Sequence, residues 1–246
     1  MKSLPIQNIS NHFSEITLFL RNQDGSLEIK KDSDFLPYYF EPTTEQESDA
    51  VSIYGKALKK IYCKHPGEVR KQRSQNAYEA DIIYTKRYVL DKIPTFEKSK
   101  TRIIYFDIEV NAIELPRPKE DQKANDEVSC ITIYDNYKKK YKTFFIKDFE
   151  SEYQMLEDFC NTIKQLSPDC LTAWNSEFDY YFLYYRINDF PKKISSIGQS
   201  HWRRGFEMPA GISVVDLMGM YAKYTLHKKD SYALMNVAND ELNYEI

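Results

Sequence analysis

Glycine is scarce in this 246-residue chain, at 7 residues, and cysteine is scarcer, at 4. So little glycine excludes a collagen-like or linker-rich chain. Cys63, Cys130, Cys160 and Cys170 lie far apart with no CxxC pair. That excludes a zinc ribbon or a disulfide scaffold and fits a reducing compartment. No run of about 18 apolar residues exists, so no membrane-spanning segment is expected. The start, Met1 to Ile16, has no apolar signal core, and secretion is not expected. Positive charge is not in surplus: 34 Lys and Arg against 37 Asp and Glu give a formal net charge of −3. A chain that coats nucleic acid nonspecifically is thereby excluded, although an enzyme gripping a few nucleotides in a local cleft is not. The four histidines form no ligand spacing, and there is no repeat or low-complexity tract.

What is plentiful is apolar and aromatic. Hydrophobic residues make up 42%, with 20 Tyr and 14 Phe, enough to bury a core in one large domain or two small ones. Residues 1–100 read as a strand-rich unit. The apolar run in His12 to Arg21, then Asp24-Gly25, then Ser26 onward gives a hairpin. Phe35 to Phe40 is a strand that Pro37 sends to an edge. Thr43 to Asp49 is an acidic loop, Val51 to Tyr62 holds one or two strands, and Glu68 to Gln75 is helical. Tyr78 to Ile93 is a mixed stretch ended by Pro94, and Pro94 to Lys100 joins two units.

A different rhythm fills residues 101–246. Arg102 to Val110 is a buried-type strand, Asn111 to Glu127 a loop, and Val128 to Tyr134 and Tyr141 to Ile146 a strand pair. Glu152 to Leu166 is an amphipathic helix with Tyr153, Leu156, Phe159, Cys160 and Ile163 facing inward. Cys170 to Trp174 is a strand and Phe178 to Ile187 a helix. After them Ile212 to Val215 is a strand and Leu217 to Tyr224 a helix. The order implies α/β layering, α+β over the whole chain.

Asp107 and Glu109 stand two apart on one strand, so both carboxylates leave the same face. On an apolar strand two such groups need a partner, and a hard divalent cation is one; an edge pair facing water is the other reading. Asp179, in Asn175-Ser176-Glu177-Phe178-Asp179, falls in the first turn of a helix after a short strand. There it is either a dipole partner behind an Asn175 or Ser176 cap or a third carboxylate converging on the first two. Three convergent carboxylates suit a two-metal site with ions about 3.5–4 Å apart. Asp107 would bridge, Glu109 would hold the water-activating ion, and Asp179 would hold the leaving-group ion. Asn175 would reach a phosphate or sugar of a terminal nucleotide. Phe178 would pack on a base or sugar, or sit in the core.

Phe106-Asp107-Ile108-Glu109-Val110 resembles the first exonuclease motif of family B DNA polymerases, and Leu171 to Asp179 resembles the second. Tyr78 to Ile82 with Arg87, Ser213 to Tyr221 and Ser231 to Ala238 resemble the flanking segments, so the likeness runs from about Tyr78 to Ala238. The resemblance implies a ribonuclease-H-like fold with a mixed central sheet, preceded by a strand-rich amino-terminal domain. It also implies a 3′→5′ proofreading activity that uses Mg²⁺ or Mn²⁺ on the single-stranded 3′ end of a primer-template. The expected partners are DNA, the remainder of the polymerase in the same or a second chain, and a sliding clamp, with no membrane. The expected location is cytoplasmic, in a nucleoid or an infected cell.

One part of the pattern is missing. The family's third motif is a Tyr followed four residues later by Asp, whereas Tyr232 is followed by Asn236, and Asp240 has no Tyr at that distance. The motif and the polymerase site are expected beyond Ile246, which leaves the exonuclease domain of 101–246 incomplete at its carboxyl end. Two alternatives stay open: a non-catalytic DNA-binding or subunit-binding module of a split polymerase, and a stand-alone ribonuclease-H-like exonuclease. Asp216 is read as a helix cap for Leu217 onward and Lys138-Lys139-Lys140 with Lys142 as a solvated turn. His201, Trp202, Arg203 and Arg204 are read as a linker between the second motif and the next strand, with a contact of Arg203 and Arg204 to a DNA backbone as the alternative.

Overall fold

The computed structural model describes residues 4–114, 116–203, 205–226 and 228–242. The chain divides into two compact units, Met1–Lys100 and Thr101–Ile246.

In the first unit, β1 (Ile6–His12), β2 (Glu15–Arg21) and β3 (Leu27–Asp32) form an antiparallel sheet in that order. The hairpin between β2 and β3 turns at Gly25, whose φ of 84° suits glycine. Its amide donates to Asn22 O at 2.9 Å. Polar β1 (IQNISNH) escaped the sequence reading because it lacks an apolar alternation. Next come β4 (Tyr38–Pro42), β5 (Ala50–Val51) and β6 (Ala57–Tyr62), ordered β4-β6-β5. The strand expected at an edge starts only after Pro37 and does lie at one. Helices α1 (Pro66–Gln72) and α2 (Tyr84–Lys92) follow. Tyr84 and Tyr88 of α2 pack with Ile16, Leu18, Leu20 and Phe35 in the core. The Tyr88 hydroxyl donates to Asp32 at 2.9 Å. Arg87, buried, pairs with Glu79 at 2.6 Å beside the Tyr38 ring.

The second unit runs β7 (Ile103–Asn111), α3 (Pro118–Asp121), β8 (Glu127–Asp135), β9 (Lys140–Phe145), α4 (Glu152–Leu166), β10 (Cys170–Ala173) and α5 (Ser176–Arg186). It continues with α6 (Phe190–Ile194), β11 (Ser200–Arg203), β12 (Phe206–Pro209), β13 (Ser213–Asp216), α7 (Leu217–Tyr224) and α8 (Leu234–Leu242). Five strands make one mixed sheet, β13-β10-β7-β8-β9. β10 is parallel to β7 and β13, and β8 and β9 are antiparallel.

Alternation decides the two faces. Ile104, Phe106 and Ile108 of β7, Ile131 and Ile133 of β8 and Phe144 of β9 are buried with Met155, Leu156, Phe159, Cys160 and Ile163 of α4 and with residues of α5 and α6. On the other face Tyr105, Tyr134 and Tyr141 stand side by side, with ring centroids 6.1 and 4.8 Å apart. The sequence reading placed Tyr153 on the inward face of α4. It is 72% exposed, and Met155 fills the core instead, because the helical twist carries Tyr153 off the stripe centred on Phe159 and Ile163. Arg102 closes one end of the sheet. Its guanidinium donates to Asp135 at 2.7 Å and to Leu166 O at 2.7 Å, and its amide donates to Asp169 at 2.7 Å.

The span read as a linker is structured. His201, Trp202 and Arg203 lie on β11, which pairs with β12 in a hairpin, and α6 precedes it. Arg204 lies outside the described residues.

Candidate active site

β7 supplies two carboxylates by the same alternation that buries its isoleucines. Asp107 and Glu109 are both exposed on the face opposite α4. Past Glu109 the register shifts: Glu109 faces Cys130 and Val110 faces Val128, leaving Ser129 as an extra residue. The Ser129 hydroxyl donates to Glu109 O at 3.1 Å. A bulge of this kind bends the strand and re-aims its side chains.

The third carboxylate comes from α5. This helix starts where β10 ends, beside β7 in the parallel part of the sheet, so its first turn stands over the end of β7. Asp179 is 4% exposed and accepts the Ile108 amide at 3.2 Å. Burial pushes its pKa up to about 7, and the negative charges of Asp107 and Asp216 add to that rise, while the Ile108 amide opposes it. Partial burial, then the charge of Glu109, also raises Asp107. Among the described residues no lysine or arginine forms an ion pair with Asp107, Glu109 or Asp179.

The second motif divides between site and core. Asn175 precedes α5 as its N-cap residue, exposed and without a side-chain capping bond. Phe178 is half-buried, stacks at a tilt on Phe182 with centroids 5.9 Å apart, and packs against the core. It also shares a cleft of about 280 Å³ with Ile108, Glu109, Val110 and Pro116. Phe178 therefore packs in the core and also lines this cleft.

The structure brings Asp179 within electrostatic reach of Asp107, and Asp107 within reach of Glu109. It does not gather them fully: among the described residues no group of three His, Cys, Asp or Glu side chains is set to hold a metal ion. As donors, uncompensated carboxylate oxygens of this kind fit a hard divalent cation. Asn236 is exposed on α8, and Asp240 is engaged with Lys229 at 3.0 Å. Lys142 is not a free turn residue, since it bonds Asp158 at 3.1 Å and Thr162 at 2.9 Å. Lys138, Lys139 and Lys140 are exposed at the hairpin tip.

Asp216 does cap α7, accepting the Gly219 amide at 2.7 Å. Its second oxygen also accepts the Ser176 amide at 2.9 Å, at the start of α5. That second bond was invisible in the sequence, where the two residues lie forty positions apart.

Residues 59–237 match the model of the exonuclease domain of DNA polymerase family B. The chain belongs to the family B DNA polymerases. It is 23% identical over 200 residues to a DNA-directed DNA polymerase of Escherichia phage RB69, an alignment spanning 60% of this chain and 22% of the relative. To a DNA polymerase of Thermococcus litoralis it is 23% identical over 210 residues, spanning 68% of this chain and 12% of the relative. Its fold is similar to that of the family B DNA polymerase from the archaeon Pyrobaculum calidifontis. The TM-score is 0.65 at 20% identity, covering 98% of this chain and 43% of that one. The mixed five-stranded sheet is thus the ribonuclease-H-like fold of the family's exonuclease domain, behind a strand-rich amino-terminal part. The chain spans only a minor part of these curated relatives' lengths.

Proposed function

We propose that the second unit is a 3′→5′ exonuclease segment that proofreads for a DNA-directed DNA polymerase in replication. Its substrate is a frayed single-stranded DNA 3′ end, and the rest of the polymerase is supplied by the same or a second chain. The observation that carries this reading is the trio of Asp107, Glu109 and Asp179. Two carboxylates share one open sheet face, and the third is buried beside Asp107 with no cation to offset it. Negative charge gathered without a counter-charge is costly unless a cation joins it.

Asp107, Glu109 and Asp179 would hold two divalent cations, Mg²⁺ or Mn²⁺. Bound there, such ions activate a water and stabilise the leaving oxygen of a phosphodiester. The exposed Asp107 and Glu109 side chains are free to turn, whereas Asp179 is fixed by the Ile108 amide. Phe178 walls the cleft beside Glu109 and offers a ring for the terminal base or sugar, and Asn175 offers its amide to a phosphate or sugar oxygen. The experiment is cleavage of a 3′-labelled single-stranded oligonucleotide with Mn²⁺, using the complete polymerase and its Asp107→Ala/Glu109→Ala variant. Loss of cleavage in the variant is expected; cleavage at the parental rate would overturn the assignment.

A further inference from the structure

α5 lacks the cap that its sequence offers. Asn175 occupies the N-cap position yet makes no side-chain bond to the helix. The first amides of a helix have no partner within it. Here the Ser176 amide is satisfied from another strand, by Asp216 Oδ1 at 2.9 Å. Asp216 is the last residue of β13, opposite Ala173 in the parallel register with β10. Its Oδ2 accepts the Gly219 amide at 2.7 Å, at the start of α7. One carboxylate therefore accepts from the first turns of two helices.

The surroundings are built for that double role. A Cβ on Gly219 would sit 2.6 Å from Asp216 Oδ2, so a larger residue there would force the carboxylate to shift. The Met218 amide donates to Trp174 O at 2.7 Å, and the Thr172 hydroxyl donates to Val215 O at 2.6 Å. The ends of β10 and β13 and the starts of α5 and α7 are thus joined around Asp216. Asp179 stands three residues after Ser176, on the turn that this joint holds.

We infer that Asp216 is a positioning residue of the proposed exonuclease site: it anchors the first turn of α5 and so sets where Asp179 lies relative to Asp107 and Glu109. The inference rests on the reading of those three carboxylates as cation ligands. Asp216 itself is committed to two backbone amides and is not assigned as a ligand.

Two variants remove the bond from opposite sides. Asp216→Ser keeps a hydroxyl that can cap α7 but is too short to reach Ser176 as well. Ser176→Pro deletes the donated N–H at the first helical position, where proline is well tolerated, and leaves the Asp216 charge untouched. The readouts are Mn²⁺ affinity of the whole chain, by electron paramagnetic resonance of free Mn²⁺, and amide exchange at Gly219 and Asp179, with near-ultraviolet circular dichroism reporting the fold. In both variants the Mn²⁺ dissociation constant is expected to rise at least about tenfold, as when groups orienting metal ligands are lost. The Gly219 amide should stay protected while the Asp179 amide exchanges faster. A purely structural role would lower the unfolding midpoint and leave the Mn²⁺ affinity of the folded chain unchanged. Parental affinity, within twofold, in either folded variant overturns the inference. If Asp107→Ala fails to weaken Mn²⁺ binding of the parent chain, the reading of the site itself is overturned, and this inference with it.

Discussion

The Ile108 amide donates to Asp179 Oδ1 at 3.2 Å, joining the helix of the second motif to the strand residue that lies between Asp107 and Glu109. The bond ties a buried acid to the backbone of the strand that bears the two exposed ones. Burial works against that bond: the amide favours the ionised carboxylate, whereas the dry site and the charge of Asp107 hold it partly protonated near neutral pH.

That conflict predicts a stability cost with a definite sign. The Asp179 pKa is raised from 3.8 to about 7 in the folded chain, so the folded state binds the proton more tightly than the unfolded one. The associated stability is fully present below about pH 4 and is lost as pH rises through 7. Asp179→Asn keeps an oxygen for the Ile108 amide and removes the charge. With metal chelated at pH 8, the variant should be more stable than the parent by roughly 1–4 kcal/mol, and the gain should shrink at pH 5. Urea denaturation at the two pH values measures it, and a variant less stable than the parent at pH 8 contradicts the account.

Divalent cations should relieve the same cost. At a Mn²⁺ concentration one hundred times its dissociation constant the chain should gain about 2.7 kcal/mol. The gain should grow from pH 6 to pH 8 as Asp179 ionises, and it should vanish in Asp107→Ala. Thermal unfolding with and without Mn²⁺ tests this; equal midpoints in parent and variant would count against the site.

At the far end of the sheet the charge is compensated. Burial would raise the Asp135 carboxyl, but the Arg102 hydrogen bond and charge and the Tyr137 amide outweigh it and hold it below the usual range. Asp135→Ala leaves the half-buried Arg102 with Leu166 O but without its carboxylate, and about 2–3 kcal/mol should be lost. Chemical denaturation at neutral pH reads this directly. Stability from this pair should also fall on acidification through the depressed Asp135 pKa.

Within α4, Phe159 and Tyr153 make a matched comparison. Phe159 is 0% exposed and meets Phe144 edge-on with centroids 5.7 Å apart, while Tyr153 is 72% exposed. Phe159→Ala should cost about 3–5 kcal/mol, and Tyr153→Ala no more than about 0.5 kcal/mol. Equal costs would mean that the inward face of α4 has been misassigned.

The legible parts of this chain are those where one periodicity runs unbroken. β7 alternates buried Ile104, Phe106 and Ile108 with outward Tyr105, Asp107 and Glu109, so its two faces and the direction of the two carboxylates follow from the residues alone. α4 matches its expected span because a Ser151 cap and a polar Ser167-Pro168-Asp169 exit bracket a helical repeat. The β11–β12 hairpin was missed because His201-Trp202-Arg203 shows no two-residue alternation, its register being set by pairing with Phe206 to Pro209. The double role of Asp216 was half legible: the bond to Gly219 is local in sequence, and the bond to Ser176 exists only once β10 and β13 lie side by side.

The extra Ser129 opposite Glu109 has a consequence for how such a chain can vary. Which face a β7 side chain occupies is a matter of odd or even position, so one inserted residue between Phe106 and Asp107 would turn both carboxylates into the oily side of the sheet. β8, by contrast, already carries an unmatched residue beside Glu109 and absorbs it locally. Substitutions along β7 alter one side chain at a time, whereas a change in its residue count inverts the strand; β8 has a place where the count can slip without β7 being affected.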